Sequence, residues 1–215
     1  MGRSIGSLPR RFPIFPLSGT VLLPRGNLPL NIFEPRYLAM VRDAMQTDQV
    51  IGMIQPRNDD SGEAAPELYR TGCVGKVSNF QETDDGRFLI TLAGICRFDM
   101  VEELDVATPY RQIEADFSRW TGDFEPETPP DVMRTALLET LKVYFDQHDI
   151  EADWNAVRNA PLVGLITSLA MICPFEASEK QALLEAETLE RQARLLVAMM
   201  QIAVAEGEEG PAVLH

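Results

Sequence analysis

The sequence predicts an α+β protein: a β-rich first part carrying one short helix, followed by an α-helical bundle. Three observations carry this expectation. From about Phe12 to Phe117, short apolar runs are punctuated by Gly and Pro, the pattern of many short strands. From about Pro130 to Glu206, apolar residues recur at helical spacing with few breakers. Between them "SRWTGDFEPETPPD", Ser118 to Asp131, holds three prolines, one glycine and four acids, the composition of a connecting segment. The expected division is a β-rich domain over residues 12–118, a linker over 119–130 and a helical bundle over 131–206. Residues 1–11 and 207–215 are expected to be flexible tails.

Within the first part, "RFPIFPL" (Arg11–Leu17) and "TVLLP" (Thr20–Pro24) read as strands bounded by prolines, which place them at edges or ends of a sheet. "LPLNIF" reads as a strand that stops at "EPRYLAMVRDAMQ", a helix. Pro35 suits a first helical turn, and Tyr37, Met40, Val41, Ala44 and Met45 follow helical spacing. Glu34 lies at the helix start, where the dipole favours negative charge. "QVIGMIQP" is a buried-strand candidate and "NDDSGEAAPE", Asn58 to Glu67, a polar loop. "VGKVSNFQE", "TDDG" and "RFLITLAG" form a hairpin whose Asp85-Gly86 pair supplies the positive backbone angles of a tight turn. Gly94 marks a bulge before a further strand, Ile95–Val101, and Ile113, Ala115 and Phe117 alternate with polar residues. Such a set of short strands suggests a small, strongly bent sheet or barrel.

In the second part, Met133, Leu137, Leu138, Leu141, Tyr144 and Phe145 make one apolar stripe. "APLVGLITSLAMICPF" is apolar nearly all round and reads as a central helix ended by Pro174. "SEKQ", Ser178 to Gln181, has capping-box spacing, and Thr188 can cap a last long helix.

Composition narrows the function classes. The 215 residues are 45% hydrophobic and 24% charged, ordinary values for a globular chain. No apolar run approaches the roughly 20 residues needed to span a bilayer. The N-terminus, broken by Gly2, Gly6, Pro9 and Pro13, lacks the apolar core of a signal peptide. Cys73, Cys96 and Cys173 stand in unrelated contexts and suggest free thiols in a reducing compartment, so a cytoplasmic location and no membrane partner are expected. Net charge is −14, yet residues 1–42 hold six arginines against one acid, Glu34. An acidic body repels phosphate backbones, so nucleic acid is not an expected partner.

A search for chemistry returns little. "GCVGKV", Gly72 to Val77, lacks the glycine five residues before its Gly-Lys pair and the Ser or Thr after it, and leads into a strand where a phosphate loop needs a helix. His148 and His215 are the only histidines, and no Cys or His pair has metal-ligand spacing. A nucleophile would have to rely on one of these histidines, or on Lys76, Lys142 or Lys180, each in a bland context. The chain is expected to be non-enzymatic and to need no cofactor.

Several stretches taken together resemble one family. "FPIFPLSGTVLLPRGNLPLNIFEPRYLAMV" looks like the opening of the N-terminal domain of Lon-type ATP-dependent proteases. "YRTGCVGKVSNFQETDDGRFLITLAGICRFDMVE" is similar to that domain's central hairpin, including Gly72, Gly75, Gly86, Gly94 and Arg97. "SEKQALLEAETLERQARLLVAMM" looks like the helical segment that follows. The resemblance implies a small twisted PUA-like barrel, then a helical bundle, and a role in holding protein substrates. The ATPase and Ser-Lys protease motifs are not expected in this chain.

The expected function is therefore a stand-alone, non-catalytic module that binds unfolded polypeptide or a specific protein partner. The alternatives are a nucleic-acid-binding PUA-like protein and a dedicated scaffold or adaptor for one partner. Candidate protein-binding residues are Arg25, Leu28, Leu30, Ile32, Phe33 and Arg36, acting by apolar contact and strand pairing at exposed edges.

Overall fold

Alternating and continuous apolar runs in the first part produce six strands and one helix in the computed structural model, which describes residues 5–57, 66–126 and 131–208. The strands are β1 (Arg11–Pro16), β2 (Asn27–Ile32), β3 (Val50–Ile54), β4 (Thr71–Glu82), β5 (Phe88–Glu103) and β6 (Gln112–Asp116), with α1 (Pro35–Met45) between β2 and β3. They form one sheet in the order β2-β5-β4-β3-β1-β6, and a further β5–β6 pairing closes five of them into a ring. β1 and β3 are parallel and the other pairings antiparallel. Thus β5, 16 residues long, serves twice. Its first half carries β2 on one side and β4 on the other; its second half lies between β4 and β6.

The ring encloses Phe12, Ile14, Val74, Cys96, Phe98, Ile113 and Phe117, with Trp120 packed among them. Phe12 and Phe98 meet edge to face at 5.2 Å, a geometry the ring quadrupoles favour. Burying each such aromatic contributes about 1.5–3 kcal/mol. Sharp curvature needs backbone in close approach, and Gly94 provides it: a Cβ there would lie 2.0 Å from the Leu23 carbonyl oxygen. The register slips beside it, where Gly75 faces Gly94 but Val74 faces Cys96, leaving Ile95 as the extra residue of a bulge.

Several expectations change in this part. "TVLLP" is not a strand, although Val21, Leu22 and Leu23 are fully buried, because an irregular segment plugs the core there. The strand expected at Ile95–Val101 is the continuation of β5 through its bulge. At the hairpin tip Gly86 alone is left-handed, at φ 80°, so the turn needs one glycine and not a pair. Ser118–Phe124, expected to open a linker, is a 3-10 segment with Trp120 and Asp123 buried. At the other end, residues 5–11 are not a loose tail: Ile5–Ser7 make a 3-10 turn and Arg11 begins β1 opposite Glu114. Most of "NDDSGEAAPE", the rest of the expected linker beyond residue 126 and the terminal segment after residue 208 lie outside the described residues.

The later chain supplies α2 (Asp131–Gln147), α3 (Trp154–Asn159), α4 (Leu162–Ile172), α5 (Ala177–Glu185) and α6 (Leu189–Glu208). Asp153 caps α3 by accepting from the Asn155 and Ala156 N–H groups at 2.9 and 3.1 Å; this short helix was not expected from the apolar spacing. Thr188 caps α6 through the Arg191 N–H at 3.1 Å. For α5 the cap sits two residues earlier than "SEKQ" suggests, since Glu179 reaches back to the Glu176 N–H at 2.8 Å.

By contacts the chain forms two units, Met1–Pro126 with Glu176–Glu185, and Glu127–Phe175 with Ala186–His215. The sequence places all the later helices in one bundle, whereas α5 belongs to the β unit. Polar bonds hold it there. The Gln55 side chain donates to the Ala177 carbonyl at 2.9 Å and to Gln181 Oε1 at 3.1 Å, and accepts from the Gly19 N–H at 3.0 Å. Gln181 donates to the Thr71 carbonyl at 3.1 Å and to Glu185 at 2.7 Å. Gln55, Thr71 and Gln181 are all buried, and paired burial removes the cost of desolvating them. In the second unit, α4 buries Leu162, Leu165, Ile166 and Leu169, while Tyr144, Phe145, Trp154 and Phe175 form a chain of ring contacts.

Candidate functional site

Beyond the ring, the outer half of the β4–β5 hairpin and β2 make a three-stranded arm. Directly paired residues share a face. One face therefore carries Leu28 with Leu92, Leu30 with Ile90, Ile32 with Phe88, and Phe80 with Ile90. The other carries Asn27, Pro29, Asn31, Thr91, Asn79 and Gln81, with the exposed Leu89 among them. The first face is apolar except at its β4 edge near the hairpin tip, where Glu82 pairs with Phe88. Its centre is closed, with Phe88, Ile90 and Leu92 buried, but its flanks are open: Leu28 and Leu30 are half-buried and Phe80 is 39% exposed. Phe80 and Phe88 are in ring contact at 5.0 Å, and the Arg42 guanidinium of α1 lies over Phe88 at 5.0 Å.

The six candidate residues separate by environment. Leu28 and Leu30 stand on the open flank. Phe33, just beyond β2, is 62% exposed, the largest exposure of any aromatic among the described residues. Ile32 is 2% exposed and is a core residue. Arg36 is exposed but engaged, pairing with Glu34 at 2.9 Å and lying 4.5 Å from the Tyr37 ring centre. Arg25 has its backbone left-handed, at φ 66°, and its guanidinium donates to the Asp123 carbonyl at 3.1 Å and to the Glu125 carbonyl. Its charge thus sits on carbonyl groups at the end of the 3-10 segment, a favourable place for a cation. The structure brings Leu28, Leu30 and Ile32 together on one face and gives both arginines partners within the chain. Phe80 is not among the six candidates, because the exposure of an aromatic on a hairpin is not written in local sequence.

Strand pairing at β2 meets an obstacle. The Gly94 N–H donates to the Gly26 carbonyl at 2.8 Å, and the register runs on through Asn27↔Ala93 to Ile32↔Phe88. Bonding alternates along an antiparallel pair, so Leu28, Leu30 and Ile32 turn their backbone groups toward β5. Asn27, Pro29 and Asn31 face outward, and Pro29, with no N–H, occupies the middle of that edge. The edge of β2 is blunted.

The chain's reactive groups are elsewhere and closed off. Cys73, Cys96 and Cys173 are free thiols, all buried. Burial pushes the Cys73 and Cys96 thiols up, with the Asp123 carboxylate adding to it, so little nucleophilic thiolate forms near neutral pH. The Tyr110 phenol donates to Asp43 at 2.7 Å; burial first, then that carboxylate, push it up to about 12. Among the described residues no group of three His, Cys, Asp or Glu is placed to hold a metal ion, and no helix is long and apolar enough to cross a membrane. In the helical unit a cavity of about 330 Å³ opens between α2 and α6, lined by Met133, Ala136, Ala193, Val197 and the ion-paired Glu190 and Arg194.

Residues 11–201 match the family described as the ATP-dependent protease La (LON) substrate-binding domain. The chain is 32% identical over 110 residues to Lon protease 2 of Myxococcus xanthus, covering 51% of this chain and 13% of that protein. It is 28% identical over 194 residues to Lon protease 2 of Sorangium cellulosum, covering 87% and 24%. The chain therefore spans a quarter or less of the length of these relatives. In structure it is similar to a Lon N-terminal domain protein from Xanthomonas campestris, with TM-score 0.59, 23% identity, and 87% and 97% of the two chains covered. It is also similar to the N-terminal domain of the Mycobacterium avium complex Lon protease, with TM-score 0.61, 13% identity, and 89% and 98% covered.

Proposed function

Because the chain belongs to the ATP-dependent protease La (LON) substrate-binding domain family, we propose that it is a polypeptide-binding module that recognises and does not cleave. Its ligand is unfolded polypeptide, or a partner protein presenting an unfolded segment. The observation that carries this reading is the arm's apolar face, open at Leu28, Leu30 and Phe80, with the exposed Phe33 just beyond the end of β2. Apolar side chains held on a sheet, where the backbone is already ordered, bind without the entropy cost of ordering a loop. Two further observations support recognition over chemistry: the family match is to a substrate-binding domain, and the thiols are buried.

The test is a titration of the purified protein into a labelled, permanently unfolded polypeptide, with its folded counterpart as control, read by fluorescence anisotropy. Binding of the unfolded chain alone is expected, and the part of it that survives high salt reports the apolar contact, which is not screened. Leu30→Ser and Phe33→Ser should weaken it while leaving the thermal midpoint nearly unchanged. Absence of binding at high micromolar concentration, or equal binding of the folded control, would overturn the reading.

A further inference from the structure

The arm has two outer edges, and their backbones differ. On β4, the Thr83 N–H donates to the Arg87 carbonyl at 2.9 Å. Gln81 opposite Leu89 and Asn79 opposite Thr91 lie at even steps from that pair and share its parity. Asn79, Gln81 and Thr83 therefore turn their backbone groups to β5, while Phe80 and Glu82 turn theirs outward. β3 pairs with β4 only from Cys73 to Lys76, so beyond Lys76 no strand among the described residues covers this edge. The five residues Ser78–Glu82 are all exposed. No proline interrupts them, in contrast to Pro29 on β2.

Charge indicates what fits there. At the hairpin tip Asp85 is held by Arg87 at 2.9 Å and by the Thr83 hydroxyl. Two further acids, Glu82 and Asp84, are exposed beside it, and the side chain next to Glu82 along the apolar face is Phe80. An extended segment lying on this edge meets, in order, an apolar anchor and two carboxylates.

We propose that the bound polypeptide adds to the arm as a strand along the outer edge of β4 at Phe80–Glu82, with an apolar residue against Phe80 and a Lys or Arg against Glu82 and Asp84. This rests on the polypeptide-binding reading above and gives it a site, a backbone mechanism and a sequence preference. Main-chain bonds supply affinity for any extended segment, and the alternate side chains supply selection.

The test uses the full chain and two short labelled peptides, both with alternating apolar residues flanked by lysines, one of them N-methylated at every second residue. The unmethylated peptide should bind, protect the Phe80 and Glu82 amides from hydrogen exchange, and lose affinity about tenfold on Glu82→Pro. That substitution copies the blunting of β2 at a position whose N–H has no partner in the sheet, and circular dichroism and the thermal midpoint check that the fold is kept. The methylated peptide should bind much more weakly, a readout that leaves the protein unaltered. Replacing the flanking lysines by glutamates should also weaken binding. If the unmethylated peptide binds but both peptides bind alike, with no protection at Phe80 and Glu82, strand addition here is overturned while polypeptide binding by the apolar face stands. If neither peptide nor the unfolded polypeptide binds, both readings fall.

Discussion

At Arg97 a carboxylate, a backbone carbonyl and an aromatic ring converge on one buried side chain. Its guanidinium meets the Asp123 carboxylate at 2.5 and 3.1 Å, donates to the Leu184 carbonyl at 3.2 Å, and lies 4.1 Å from the Trp120 ring centre. Its backbone N–H also donates to Asp123, at 2.8 Å. Removing one member leaves the other charge buried, so Asp123→Ala should cost about 3–5 kcal/mol. The double change Arg97→Met with Asp123→Ala should cost less than the sum of the two singles. Urea unfolding of the three variants checks both statements. Half of this pair was legible in the sequence: Arg97 falls in the hairpin stretch that resembles the Lon domain, but Asp123 sits among prolines and reads as linker. Periodicity reports which face a residue lies on; it carries no information about a partner 26 positions away. The acceptors of Arg25 were illegible for the same reason, since the carbonyls of Asp123 and Glu125 lie about a hundred residues downstream.

Elements with a strong period were readable, and those held by polar bonds were not. α1 was foreseen to within one residue at each end, and of its five expected apolar positions Tyr37, Met40, Val41 and Ala44 are buried and Met45 half-buried. β2 was also foreseen, shifted one residue toward the C-terminus, and its apolar alternation gave Leu28, Leu30 and Ile32 as one set. What the pattern of β2 does not reveal is its parity against β5, which decides that Pro29 faces outward. Pro29→Val should restore an outward N–H at the centre of the unpaired outer edge of β2. Such an edge recruits a second copy, so the variant should show concentration-dependent self-association in sedimentation velocity at concentrations where the parent sediments as a smaller species. Equal sedimentation of the two would show that Pro29 does not guard the edge. α5 was assigned to the wrong unit because it buries Lys180 and Gln181 along with Leu183 and Leu184, leaving no apolar stripe to show where it docks.

On the scale of the whole molecule, the chain passes between its two units three times, after Pro126, after Phe175 and after Glu185. A β unit cut at residue 126 therefore lacks α5 and the bonds it makes to Gln55, the Thr71 carbonyl and Arg97. Each such bond contributes about 1 kcal/mol. Residues 5–126 alone should accordingly melt lower than the same segment with Glu176–Glu185 rejoined through a flexible linker, a difference that differential scanning calorimetry resolves. If the two melt alike, α5 adds nothing to the β unit.

The bond from Gln55 to Gln181 spans 126 positions, and this has a meaning in time. During synthesis the strands of the ring are complete once Asp116 has been made, yet α5 follows only about 60 residues later. At about 5–20 residues per second that is a wait of roughly 3–12 seconds. For that interval the nascent barrel exposes the glutamine and carbonyl groups that α5 will cover, together with the open apolar flank of its own arm. A ribosome pause between the two segments should prolong the period in which the β unit lacks its last helix.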